Sequence, residues 1–358
     1  MILAGTSPVA ASPRAHVVEA HGLVKHFPIR KGAWGKRDAV HALDDVSLTI
    51  RAGEALGIVG ETGSGKSTLA RVLLHLTPPD RGTVRFDGID VTHATGRKLK
   101  ALRRQMQIVF QDPYSALDPR MKIGTSVAAP LSQHRIGTRS QRRELVRQLL
   151  RKVGLDVELA DRYPDECSGG QLQRVVIARA LSLNPRFLVC DEPTASLDAS
   201  VRAQILNVIR DLKVELGLTL VLISHDLKVV RHVCDRIAVM YLGQIVEMAD
   251  NADLFEHPHH PYTRQLLAAS LPSVAGTGRH LAVMEGEPPS PINPPTGCRF
   301  HEQCPIARDN CQAEAPLLSE VEPQHSVSCF YWSESEITDV PYRFRRARQN
   351  GTSGASRN

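Results

Sequence analysis

The sequence predicts an α/β fold with a parallel sheet covered on both faces, and three observations carry that prediction. Apolar runs at residues 55–59, 187–190 and 218–223 have strand length and are nearly continuous, without the polar alternation of a sheet with one wet face. Each run is followed by a segment with helical spacing, as strand–helix–strand units require. The first run opens onto Gly60-Glu61-Thr62-Gly63-Ser64-Gly65-Lys66-Ser67, which fits the phosphate-loop pattern GxxxxGK[ST].

The remaining elements follow in chain order. Residues 1–15 are small and rich in Pro, Ser and Ala, so disorder is expected, and they lack the basic and apolar regions of a secretory signal. Residues 40–50 read as a strand because Val46, Leu48 and Ile50 alternate. Leu69, Val72, Leu73 and Leu76 share a face of a helix over residues 66–76, and residues 106–110 form another short strand. From Asp112 to about residue 182 the pattern becomes helical and charged, with turns at Asp118-Pro119 and Tyr163-Pro164, which predicts an inserted helical subdomain. Beyond Asp250 the composition shifts. Residues 285–300 are proline-dense, Cys298, Cys304, Cys311 and Cys329 fall close together, and the tail from Arg343 is basic and then Gly/Ser-rich.

At 358 residues the chain can form two domains or one large domain with an extension. Aromatic residues make up 4%, too few for a reader that stacks on bases, and the net charge of +6 suits an anionic nucleotide or an anionic membrane surface. No apolar run approaches the roughly 18–20 residues of a membrane-spanning helix. A cytosolic location is therefore expected, with spanning helices supplied by partners if the chain works at a membrane.

Glycines in a phosphate loop let successive backbone N–H groups turn inward, and the next helix presents its positive end to the anion. Lys66 is expected at the β/γ-phosphates and the Ser67 hydroxyl at Mg²⁺, with Thr68 continuing the site. Asp191 closes residues 187–190 at the C-terminal edge of the sheet, where it can position magnesium. The adjacent Glu192 can polarise an attacking water as general base.

Together these motifs resemble the ATP-binding-cassette ATPases over roughly residues 17–250. Ser168-Gly169-Gly170-Gln171 is similar to the family signature, which touches the γ-phosphate of nucleotide held by a second subunit. Ser168 reads as N-cap of a helix over residues 171–181, and Cys167 stands where the family usually has leucine, at a position expected to pack. Gln111 matches the Q-loop, a magnesium contact that links to the transporter. Ala195-Ser196-Leu197-Asp198 matches the D-loop at the dimer seam, and His225 matches the switch histidine of the γ-phosphate. Phe27 would stack on adenine where many relatives use tyrosine. The resemblance implies ATP and Mg²⁺ as ligands, a RecA-like core, an antiparallel β subdomain and the inserted helical subdomain over about 112–182. It also implies ATP hydrolysis only when two cassettes pair.

His260-Pro261-Tyr262-Thr263, Gly286-Glu287-Pro288-Pro289-Ser290-Pro291 and Pro294-Pro295-Thr296-Gly297-Cys298 resemble the extension of dipeptide and oligopeptide importer ATPases. So does the stretch from Phe27 to Val40, with its basic Arg30-Lys31-Gly32 segment. The resemblance divides the chain into a tail (1–15), a nucleotide-binding domain (16–250), a small Cys-containing extension (251–335) and a flexible basic tail (336–358). It implies a peripheral protein at the cytoplasmic face of the membrane, working with a second ATPase subunit, two permease subunits and an extracytoplasmic binding protein. Nickel and other small-solute importers share much of the pattern. A soluble cassette ATPase acting on nucleic acid is the alternative from another class, disfavoured by the scarcity of aromatics and the missing C-x₂-C pairs.

Disulfides are disfavoured in the cytosol, so the four clustered cysteines suggest thiolate ligands. Four thiolates could hold zinc or a [4Fe–4S] cluster, the group holding no metal being the third alternative, and the resemblance favours iron. Cys167, Cys190 and Cys234 read as small buried residues. His257, His259 and His260, interleaved with prolines, read as a turn with partly exposed imidazoles.

Overall fold

The computed structural model describes residues 16–30, 37–195, 197–270 and 289–335. The two tails, the Lys31-Gly32 pair, Ser196 and Gly286-Glu287-Pro288 lie outside the described residues. Strands β1 (His16–Arg30) and β2 (Arg37–Arg51) form a long antiparallel pair. Strands β4 (Arg81–Phe86) and β5 (Ile89–Asp90) complete a four-stranded antiparallel sheet in the order β2-β1-β4-β5.

The second sheet is built around the doubly apolar runs. Strand β3 (Ala55–Val59) is buried along its whole length, as are β7 (Phe187–Asp191) and β8 (Thr219–Ser224). With β6 (Met106–Val109) and β9 (Arg236–Tyr241) they run parallel in the order β9-β3-β8-β7-β6. One core lies between this sheet and the four-stranded one, where Val18, Leu43, Leu56 and Leu69 meet. The other lies on the opposite face and continues into the insertion.

That insertion comprises α3 (Pro113–Ala116), α4 (Ile123–Gln133), α5 (Arg139–Lys152) and α6 (Gly169–Leu181). A reciprocal Thr138–Gln141 capping box starts α5, satisfying backbone donors that a helix start leaves open. Val127, Leu131, Val146, Leu150, Leu172 and Val176 pack its interior. Cys167, Cys190 and Cys234 are all buried, and the Cys167 thiol donates to the Tyr163 carbonyl at 3.4 Å.

The extension is stitched to the main sheet. Strand β10 (Gln244–Asp250) pairs antiparallel with β9 on one side and with β12 (His325–Val327) on the other, and β11 (Ser319–Glu322) forms the edge. Helices α2 (Gly96–Gln105) and α8 (Leu227–Val233) precede β6 and β9 in the chain, α9 (Asn251–Glu256) packs on β9 and β10, and α10 (Pro261–Ser270) and α11 (Asp309–Ala313) belong to the addition.

Arg236, at the start of β9, joins the two sheets. Its guanidinium lies 3.0 Å from Glu54 Oε1 and donates to the Thr49 carbonyl, with both ion-pair partners almost fully buried. Removing one partner of a buried pair leaves the other charge uncompensated, typically at about 3–5 kcal/mol. Glu54→Ala is therefore expected to lower unfolding stability by about 3 kcal/mol or more in urea titrations. An unchanged midpoint would show that the pair contributes little to joining the sheets.

Candidate functional site

Parallel pairing of β3, β8 and β7 brings the ends of all three strands to one edge. The chain leaves β3 at Gly60, turns, and enters α1 (Lys66–Leu73). Backbone crowding dictates glycine at two points of this turn. A Cβ on Gly60 would lie 2.1 Å from the Met240 carbonyl oxygen, and one on Gly65 would lie 2.2 Å from that of Ala42. Both residues also sit at positive φ, where side chains are strained.

Lys66 curls back over the turn, its Nζ donating to the Gly60 carbonyl at 2.8 Å and the Glu61 carbonyl at 2.7 Å. Burial pushes its ammonium pKa down, against the attraction of Glu192, Asp191 and Glu61. Ser67 Oγ donates to Asp191 Oδ1 at 2.9 Å, and burial raises the Asp191 carboxyl above its usual range. Glu192 follows at φ 47°, a left-handed conformation costly for a non-glycine residue and often found at functional sites. Its Oε2 lies 3.2 Å from Nδ1 of His225, just beyond β8. Thr62 and Gly63 are exposed, while Ser64 is buried and Thr68 half-buried. A cation, a hydroxyl, two carboxylates and an imidazole thus converge at one sheet edge.

The other expected residues sit apart. Ser168 and Gln171 form a reciprocal capping box at the tip of α6. The helix starts at Gly169, two residues earlier than the sequence suggests. A Cβ on Gly170 would meet Val201 Cγ1 at 2.5 Å, so the tip lies hard against α7 (Ala199–Leu216). Asp198 caps α7 through the N–H groups of Ser200 and Val201. Among the described residues, no bond joins the Ser168–Gln171 tip to the Lys66 turn. Gln111 is exposed just past β6, and Phe27 is 40% exposed on β1 with Lys25 Nζ 5.6 Å from its ring centre. A groove of about 960 Å³ runs between sheet and insertion, lined by Gln107, Phe110 (the residue before Gln111), Ser115, Pro130, His134 and Arg179.

Sequence reasoning missed how the extension braces the turn. Tyr262, fully buried in α10, accepts the Glu61 backbone N–H on its hydroxyl at 3.0 Å. Its ring packs on Tyr241 and Phe300, with centroids 4.6 and 5.5 Å away. Arg299 donates to Asp44 and to the Leu242 carbonyl. Asp44 also receives His26 Nε2 at 2.6 Å and His41 Nδ1 at 3.0 Å. Burial alone would raise the Asp44 carboxyl, but bonds from His26, Arg299 and His41 outweigh it and bring it down to about 2. The HPYT motif was visible in the sequence, but which backbone group its tyrosine meets is tertiary information.

The four clustered cysteines line one small cavity with Phe300 and Tyr331. Burial first, and the neighbouring thiols with it, pushes Cys304 up to about 12 and Cys329 to about 11, and raises Cys298 as well. Free thiols are thus strongly disfavoured as anions unless a metal compensates them. Four thiols on one cavity are a donor set that thiolate-bound zinc or an iron–sulfur cluster would use. Of the histidine trio, His257 is exposed and His259 half-buried, in keeping with the expected partly exposed imidazoles, whereas His260 is buried, which corrects that expectation for this residue.

Comparisons with known proteins are extensive. The ABC transporter family model matches residues 43–195, and the model of the oligopeptide/dipeptide transporter C-terminal region matches residues 246–311. A probable peptide ABC transporter ATP-binding protein of Sinorhizobium fredii, y4tS, is 49% identical over 87% of this chain and 89% of its own length. The oligopeptide transport ATP-binding protein AppF of Bacillus subtilis is 43% identical over 91% of this chain and 100% of its own. Among solved structures, the ATP-binding cassette MJ0796, a dimer in a post-hydrolysis state bound to ADP and Pi, aligns with a TM-score of 0.58 at 31% identity. That alignment covers 65% of this chain and 98% of MJ0796.

Replacing Tyr262 with Phe leaves the Glu61 N–H without its acceptor while preserving the packed ring. An unsatisfied buried donor costs about 1–3 kcal/mol, so Tyr262→Phe is expected to lower the thermal midpoint accordingly. Wild-type melting would mean that this bond does not brace the turn.

Proposed function

This chain belongs to the ABC transporter family, in the group carrying the oligopeptide/dipeptide transporter C-terminal region, and from that premise we propose that it is the ATP-hydrolysing subunit of a peptide importer. The observation that carries the reading is the convergence of Lys66, the Ser67–Asp191 pair and the Glu192–His225 pair at one sheet edge.

In this reading the backbone N–H groups of residues 60–68 cradle the phosphates, with the positive end of α1 behind them. Lys66 exchanges its loop carbonyls for β/γ-phosphate oxygens. Ser67, Asp191 and Gln111 are the residues that would hold Mg²⁺, which neutralises charge on the phosphates when bound. Glu192 takes the proton of the attacking water as general base, and His225 orients Glu192 and the γ-phosphate. Phe27 supplies a face for the adenine ring.

The Ser168–Gln171 tip serves the nucleotide of a partner cassette, because within one chain it faces α7 and not the phosphate loop. Asp198 lies near the same seam. Two subunits would therefore enclose two ATP molecules and separate after hydrolysis. The groove beside Gln111 is where a permease would feel that motion, since it spans the sheet and the helical insertion. No described helix is long and apolar enough to cross a membrane, so spanning would fall to two permease subunits, with an extracytoplasmic binding protein delivering cargo. Peptides are the favoured cargo, as in the names of the relatives. The match to a transporter C-terminal region argues against the nucleic-acid alternative. Cys298, Cys304, Cys311 and Cys329 would hold a [4Fe–4S] cluster, a reading supported by the four thiols lining one cavity.

Glu192→Gln is expected to keep ATP affinity within a few-fold while lowering turnover by about 10²–10⁴. Wild-type turnover would remove Glu192 from the role of base. Anaerobic purification is expected to yield brown protein with iron and labile sulfide in equal amounts, and Cys304→Ser should lose both. One zinc per chain with no visible absorbance would contradict the iron assignment.

A further inference from the structure

We propose that His259, Glu322 and His325 form a binding site for a divalent transition-metal ion of the zinc type, distinct from the nucleotide site and from the four-cysteine cavity. One ring nitrogen of each histidine and one Glu322 carboxylate oxygen lie within 4.8 Å of one another. Nε2 of His259 is 3.5 Å from Glu322 Oε2, and the two imidazole rings are tilted with centroids 4.3 Å apart. The residues come from three segments: the turn before α10, the end of β11 and the start of β12. None of the three lines the cysteine cavity.

The state of His325 points to a missing ligand. Its side chain is 1% exposed, and its Nε2 lies 2.7 Å from Oε1 of the fully buried Glu247. The same carboxylate also accepts the backbone N–H groups of His259 and His260, at 2.6 and 3.0 Å, so it serves as acceptor to all three. With Nε2 engaged by this carboxylate, Nδ1 is the ring nitrogen left for another partner. That Nδ1 is buried and has no hydrogen-bond partner. An orphaned buried polar atom costs about 1–3 kcal/mol, which a native fold retains only for a reason. A carboxylate behind an imidazole, fixing its tautomer and raising its basicity, is the arrangement that supports metal-ligating histidines.

The donor set also selects the ion. Two imidazoles and one carboxylate suit zinc, nickel or copper, whereas magnesium and calcium prefer oxygen alone. Glu322 is half-exposed and leaves a route from solvent. The second compact cluster, His26, His41 and Asp44, carries no such inference because Arg299 already neutralises its carboxylate.

The test uses the full chain, stripped with chelator and titrated with Co²⁺ as optical probe and with Zn²⁺ by calorimetry. One equivalent is expected to bind with the visible ligand-field bands of nitrogen and oxygen ligands, without the near-ultraviolet band of thiolate-to-cobalt charge transfer. His259→Ala and Glu322→Gln each remove a ligand that is not deeply buried, and each should weaken binding by at least about ten-fold. Zn²⁺ should raise the melting temperature of the wild type and not of these variants, with ATPase activity unchanged in both. Uptake that carries the thiolate band and is unaltered in both variants would assign the ion to the cysteines and overturn the site. Absence of uptake by folded wild-type protein would overturn it equally.

Discussion

Parallel pairing of β3 with β8, and of β8 with β7, is the constraint on which the rest of the molecule depends. Residues buried on both faces leave these strands no alternative register, because a one-residue slip moves every side chain to the opposite face. With the register set, the strand ends are set too, and Lys66, Asp191 and His225 arrive at the same edge from widely separated parts of the chain. The remaining geometry is local. Glycines let the turn approach Met240 and Ala42, and Glu192 adopts a left-handed conformation beside His225.

The extension is part of this constraint and not an appendage. It lengthens the main sheet through β12, sends Tyr262 to the Glu61 N–H and sends Arg299 to Asp44. A change in the extension therefore has a short mechanical path to the phosphate turn. Phe300 is the shared element, since it packs on Tyr262 and also lines the cysteine cavity. Any group held in that cavity would thus bear on the rigidity of the turn through one aromatic contact.

Much of this was legible in the sequence because the core strands are apolar on both faces. The runs at 55–59, 106–110, 187–190 and 218–223 fall within a residue of observed strands. The helix after the turn ends at Leu73, short of the expected residue 76, because the chain reverses at His75 with φ 49°. Strand β1 escaped notice because irregularities between Ala20 and Leu23 and again near Lys25 interrupt its alternation. Strand β12 is three residues long, too short for periodicity, and exists only because β10 offers an edge. The partners of Tyr262 and His325 lie about 200 and 78 positions away, beyond any local pattern.

The account's central claim is that the α6 tip of one cassette completes the phosphate turn of another. Its most direct measurement is an electron-spin distance between a label near Ser168 on one subunit and a label near Gly63 on its companion, taken with and without ATP. A short, narrow distance that appears only when ATP is present and hydrolysis is blocked is the predicted result. A broad distribution indifferent to nucleotide, in the presence of every available companion cassette, would contradict the claim.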